Sequence, residues 1–146
     1  MMIQHQESFV VETRRGLHEI TARVRAAVRA SGIGTGLCLV YIRHTSASLL
    51  IQENADPKVQ RDFEAFFGRL VPEGDPIFTH LDEGKEDMPS HVKAAMTRTS
   101  EQIPIAGGEL LLGTWQGIFL WEHRGGGHRR AVVVHVTGQK GTTAPV

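Results

Sequence analysis

The run Ile118-Phe119-Leu120-Trp121 constrains the fold more than any other segment. It reads as the middle of a strand, with Ile118 and Leu120 on one face and Phe119 and Trp121 on the other. A strand that is apolar on both faces has to be covered on both. In a chain of 146 residues, a second sheet with helices or another subunit would supply that cover. The composition allows it, because 40% of residues are hydrophobic and 22% are charged. That balance excludes a disordered, coiled-coil or collagenous chain, and the length suits one domain spanning residues 1–146.

Around this strand the pattern is mixed. Residues 3–13 read as a strand, and Leu17, Ile20, Val24 and Val28 fall at helical spacing up to a stop at Ser31-Gly32. Gly32, Gly34 and Gly36 read as a turn into a strand over 37–44, with 48–52 continuing or pairing with it. Asp56-Pro57 opens a second helix striped by Val59, Phe63, Phe66, Phe67 and Leu70, and a third helix is expected from about Asp87–Pro89 to Thr99. Strands are expected at 110–112, 113–124 and 130–137, the last two joined through Gly125-Gly126-Gly127. Short turns between late strands favour antiparallel pairing, so the expected class is α+β with about six strands and three helices.

Charge and cysteine content narrow the function classes. Lys plus Arg and Asp plus Glu are both 16, so no basic excess points to nucleic acid, and no apolar run is long enough for a membrane span. The polar start Met1–Gln6 argues against a cleaved secretion signal, and Cys38, the single cysteine, forbids an intrachain disulfide. The expectation is a cytoplasmic protein. The sequence contains no phosphate-binding loop, nucleophile elbow, H-E-x-x-H or C-x-x-C.

What stands out is eight histidines. His44 ends an apolar run beside Thr45-Ser46, and His123 lies on the strand face of Phe119 and Trp121. His91 follows Asp87 by four residues, which puts both on one helical face. A carboxylate there is favoured by the helix N-terminus and would orient the imidazole. His80, near the acidic run Asp82–Asp87, is a secondary candidate, whereas His135 reads as a buried structural residue within a strand. Histidine with carboxylate suits Zn²⁺, and carboxylate with water suits Mg²⁺. Any such site must be assembled from distant segments. Cys38 reads as a buried residue with no activating base in sequence.

Five ordered blocks carry a resemblance: His44-Thr45-Ser46-Ala47-Ser48, Gln52–Pro57, Asp87-Met88-Pro89-Ser90-His91-Val92-Lys93, Gly113–Ile118 and Glu122-His123-Arg124. Over about Phe9 to Gly138 the chain closely resembles the YjbQ family, uncharacterised protein family 0047. The resemblance implies a β-sandwich α+β domain, a homotrimer with a pocket between subunits, and a weak, secondary thiamine-phosphate synthase activity. It also implies that Asp87 and His91 are catalytic and that His44 and His123 line the same pocket. Two positions depart from the family pattern: Trp121, where a small residue is expected, and Lys85-Glu86, where Pro-Asp is commoner.

That reaction joins a pyrimidine methyl diphosphate to a thiazole phosphate and expels diphosphate. It needs positive charge at the leaving group and an aromatic platform. Asn54, Asp56, Lys93, Trp115, Gln116 and Arg124 are the candidate substrate and phosphate contacts, with Trp121 a second candidate platform. Two other readings stand beside it. One is a metal-dependent hydrolase or lyase with His44, His91 and His123 as a three-histidine site. The other is a non-catalytic trimer that binds a small ligand or a metal.

Overall fold

The computed structural model describes residues 1–142. Its order is β1 (Met2–Thr13), β2 (Gly16–Glu19), α1 (Thr21–Ser31), β3 (Ile33–Ile42), β4 (Ala47–Glu53), α2 (Pro57–Leu70), α3 (Asp87–Met96), β5 (Ser100–Ala106), β6 (Glu109–Leu110), β7 (Gln116–Glu122) and β8 (His128–Lys140). A five-stranded sheet runs β1-β8-β3-β5-β6 and a three-stranded sheet runs β2-β7-β4. Every strand pairing is antiparallel. The α+β sandwich with three helices is therefore the fold.

Alternation does the work in the large sheet. Cys38, Val40 and Ile42 of β3, Val132, Val134 and Val136 of β8, and Ile103 and Ile105 of β5 point into one core. Ile118, Leu120, Ala47 and Leu49 close it from the small sheet, and Val24, Ala27 and Val28 of α1 fill the remaining side. The doubly apolar strand is β7. Its second face is covered from within the chain, since Phe63 and Phe67 of α2 meet Trp121 edge-on at 5.9 and 4.8 Å between ring centroids. No second subunit is required for that purpose. Asp56 caps α2 by accepting from the Lys58 N–H at 2.9 Å, with Pro57 in the first turn. The stripe expected on α2 is split, as Phe66 and Leu70 remain exposed.

Four expectations fail locally. Leu17 lies in β2, paired with Trp121, and the first helix begins only at Thr21. Gly34 and Gly36 belong to β3 rather than to a turn, and Ser100–Ala106 is a strand that its modest apolar content hid. His135 lies on the outer face of the large sheet, half-buried, with Nδ1 2.8 Å from Gln6 Oε1. Strand alternation is the reason, since its neighbours Val134 and Val136 take the inner face. Gly36 is explained by close approach: it opposes Gly138, and a Cβ on it would lie 2.0 Å from the Thr137 carbonyl oxygen.

Gly36→Ala is expected to destabilise the fold by about 2 kcal/mol or more through overpacking. Gly68→Ala, in the exposed part of α2 with no atom near the added methyl, should gain about 0.5–1 kcal/mol. Paired urea titrations check both, and equal midpoints would contradict the packing account.

Candidate functional site

At the end of the sandwich where β7 finishes, a charged cluster is sealed inside. Glu122 is fully buried, and Oε1 accepts from Arg130 Nε at 2.6 Å and from the Thr13 hydroxyl at 2.6 Å. Oε2 accepts from a second Arg130 nitrogen and from the Arg124 N–H. Arg130 also donates to Ser46 Oγ at 2.9 Å. Burial alone would raise the Glu122 pKa, but the hydrogen bonds from Arg130, Thr13 and the Arg124 backbone hold it below the ordinary glutamate value. This network fixes the chain on both sides of His123 and Arg124.

The cluster anchors the histidines unequally. His44 accepts the Ala131 N–H on Nε2 at 2.8 Å, and burial followed by the Arg130 charge lowers its pKa. That lone pair is already used. His123 is 1% exposed, with Nε2 2.9 Å from Ser48 Oγ and Nδ1 without a partner. Burial, reinforced by Lys93, pushes its pKa down to about 3, so it is a neutral ring locked against Trp121. His44, His91 and His123 are therefore not brought together as one ligand set.

The residues that do converge are His80, Asp87 and His91, whose ligand atoms all lie within 4.8 Å of one another. Asp87 opens α3, where a carboxylate meets the positive end of the helix, and it is 1% exposed. Its Oδ2 lies 2.9 Å from His80 Nε2 and 3.0 Å from His91 Nε2, while Oδ1 is 3.4 Å from Arg124 Nε. Burial pushes its pKa up, but the hydrogen bonds and charges of His80, His91 and Arg124 leave it below the usual aspartate value. His91 directs Nδ1 at the Thr45 carbonyl at 2.9 Å. Both its ring nitrogens thus face oxygen acceptors, and a neutral imidazole carries one N–H. With Nδ1–H given to Thr45, the Nε2–Asp87 contact closes only around a cation, either a proton or a metal ion. A carbonyl holding Nδ1–H is also the usual support of a metal-ligating histidine.

The expected substrate contacts divide. Arg124 stands beside Asp87, although its guanidinium also lies 3.6 Å from Glu83 Oε2 and 3.8 Å from Glu86 Oε1. Asn54, Trp115 and Gln116 meet at the opposite end of β4 and β7, where the Asn54 N–H donates to the Trp115 carbonyl and Glu53 pairs with Gln116. Asp56 is the cap of α2. With Ala47 paired to Glu122 at the other end, roughly 20 Å of strand separates the two groups. Trp121 is enclosed by α2 and donates its indole N–H to Glu64, so of the two candidate platforms only Trp115 is exposed. Lys93 is on the side of α3 away from His91, buried and held below the usual lysine range chiefly by burial. His80 is the participant that sequence spacing undervalued. Its proximity to Asp82–Asp87 was the available signal.

An antiparallel two-sheet α+β domain with a His–Asp–His cluster at the head of its third helix defines the class. The chain belongs to the YjbQ family: the model described as "UPF0047 protein YjbQ-like" matches residues 6–139. A UPF0047 protein of Synechocystis is 55% identical over 93% of this chain and 93% of its own. The UPF0047 protein YjbQ of Escherichia coli O157:H7 is 40% identical over 86% of this chain and 91% of its own. A YbjQ-like protein of unknown function from Sulfolobus solfataricus P2 superposes with a TM-score of 0.88 at 26% identity, covering 95% of this chain and all of that one. A hypothetical protein of Aeropyrum pernix K1 gives 0.85 at 31% identity, over 92% and 99% of the two chains.

Glu122→Gln should cost about 3–5 kcal/mol, because it leaves Arg130 buried without its countercharge. The native Glu122 pKa lies below the ordinary value of 4.5, so its stabilisation is complete above that pH and is lost as pH falls through the lower folded value. The wild type should therefore lose stability with acid below about pH 4.5 more steeply than the variant. Parallel acid-unfolding curves would refute this.

Proposed function

We propose that this chain is a metal-dependent enzyme acting on small phosphorylated molecules, with thiamine-phosphate formation as a secondary activity. The observation that carries the reading is His91, whose two ring nitrogens both face oxygen acceptors in contact with the buried Asp87. Two imidazoles and one carboxylate form a donor set suited to Zn²⁺ rather than Mg²⁺. His80, Asp87 and His91 would hold the ion. A divalent cation bound there would neutralise the charge of a departing diphosphate. Asp87 and Thr45 orient His91, and Arg124 adds positive charge at the same edge. In the metal-free form, His91 and Asp87 are a pair able to exchange a proton with a bound substrate.

The reading includes a homotrimer in the cytoplasm. Val10, Leu37 and Tyr41 are exposed on the outer face of the five-stranded sheet, a broad surface for self-association. A trimer would also let the Trp115 corner of one copy serve the His–Asp–His end of another, which the roughly 20 Å strand length forbids within a single chain. A free Cys38, buried and pushed up to about 12 by burial, is in keeping with a reducing compartment. No helix among the described residues is long and apolar enough to cross a membrane.

Elemental analysis of untagged protein purified without chelator is expected to give about one zinc per chain. The ratio should fall in Asp87→Ala and His91→Ala and persist in His44→Ala. Metal-free wild type, or loss only in His44→Ala, would overturn the centre. Thiamine-phosphate formation should drop by about 100-fold or more in folded Asp87→Ala and His91→Ala, and full activity in both would remove them from the site. Sedimentation at micromolar concentration should show a species of three times the 16.1 kDa chain mass, and a monodisperse monomer would refute the trimer.

A further inference from the structure

The Glu122–Arg130 network leaves one donor group over. Arg130 spends Nε on Glu122 Oε1 at 2.6 Å, and Nη2 on Glu122 Oε2 and on Ser46 Oγ at 2.9 Å. Among the described residues, its Nη1 makes no hydrogen bond to an oxygen and stands 3.5 Å from His44 Nδ1. Arg130 is 6% exposed. His44 is held by the backbone just beyond β3: the Arg43 N–H donates to the Ala131 carbonyl, and the Ala131 N–H donates to His44 Nε2 at 2.8 Å. An imidazole that accepts on Nε2 is neutral and carries its proton on Nδ1. Turning the ring over would set a C–H against the Ala131 N–H, so that backbone bond decides the tautomer. His44 Nδ1 and Arg130 Nη1 are therefore both donors, and neither can satisfy the other. Two donors 3.5 Å apart can share a single oxygen, each reaching it at about 2.9 Å.

We infer that His44 and Arg130 form an oxyanion site that takes one oxygen of a substrate phosphoryl group. Charge favours an anion here. Arg130 and Glu122 offset each other, while Arg43, close enough to help lower the His44 pKa, leaves the place positive. Position favours the substrate. His44 and Thr45 are consecutive, with Cα atoms about 3.8 Å apart, and the Thr45 carbonyl faces His91 Nδ1 at 2.9 Å. An oxygen bound by the donor pair thus lies one residue from the group that orients His91. His44 enters the site as a donor to substrate and not as a metal ligand. The identity of the anion rests on the reading of this chain as acting on phosphorylated molecules, whereas the donor pair stands on geometry without the metal.

The test is NMR of the full chain carrying isotope-labelled histidine, in the presence of EDTA, titrated with inorganic phosphate and with acetate. His44 is expected as the Nδ1–H tautomer, and its ring signals should shift saturably with phosphate at about millimolar concentration or below. Acetate should act more weakly. By calorimetry, His44→Ala should weaken phosphate binding about tenfold or more, and His135→Ala, on the outer face of the large sheet, should leave it unchanged. An Nε2–H tautomer for His44, ring signals indifferent to phosphate, unchanged affinity in folded His44→Ala, or a preference for acetate would each overturn the assignment. Should His44→Ala fail to fold, the wild-type spectra decide alone. Protein that carries no zinc yet responds to phosphate through His44 loses the metal centre and keeps this site, and zinc-bearing protein without the response does the reverse.

Discussion

The buried Glu122–Arg130 pair holds the two sheets in register at the end where the chemistry gathers. Glu122 closes β7 and Arg130 lies near the start of β8, so the pair ties the small sheet to the large one. Thr13 from β1 and Ser46 before β4 join the same network. A charge this deep is tolerated because nearly every lone pair and donor is engaged. The network also fixes the backbone of His123 and Arg124. Arg124 then reaches Asp87, and Asp87 aligns both His80 and His91. The alignment of the His–Asp–His cluster thus rests on an ion pair buried behind it.

Much of this architecture was legible in the order of residues. Strand β8 alternates Val132, Val134 and Val136 inward, and β7 shows two apolar faces that demand two coverings. Helix α2 carries its cap and first-turn proline in plain view as Asp56-Pro57. What could not be read is pairing. Residues 47–53 pair with β7 rather than with β3, because Leu49 and Ala47 complete the core from the small sheet. The Gly36–Gly138 contact was opaque for the same reason, since a glycine needed for close approach looks like a glycine needed for a turn.

The site was half legible. Asp87 and His91 follow from helical spacing, and four residues apart on α3 they meet as spacing requires. His80 joins them through the loop that precedes the helix, a closure that spacing does not encode. His44 and His123 look equally eligible as ligands in sequence, and local alternation puts both at strand ends. The His44 Nε2 lone pair is claimed by the Ala131 N–H, and His123 is sealed from solvent with its Nε2 paired to Ser48 Oγ. A histidine's availability is decided by tertiary hydrogen bonding, and that information is absent from its flanking residues.

Helix α3 separates two environments of opposite character, and its short length makes the contrast sharp. Asp87 and His91 share one side, where the contacts of His80, His91 and Arg124 outweigh burial and hold the carboxylate below the usual aspartate range. Lys93, two residues beyond His91, turns by about 200° to the inner side, where it faces Glu64 and Glu73 across a cavity. The first side gathers acceptors around a position that requires a cation. The second holds an amine that opens onto a cleft walled by two carboxylates. A ten-residue helix with buried polar groups on both faces cannot be held by apolar packing alone. Its orientation therefore depends on its polar contacts, those of His80, His91 and Arg124 around Asp87 and the Ser90 hydroxyl donating to the Asp87 carbonyl.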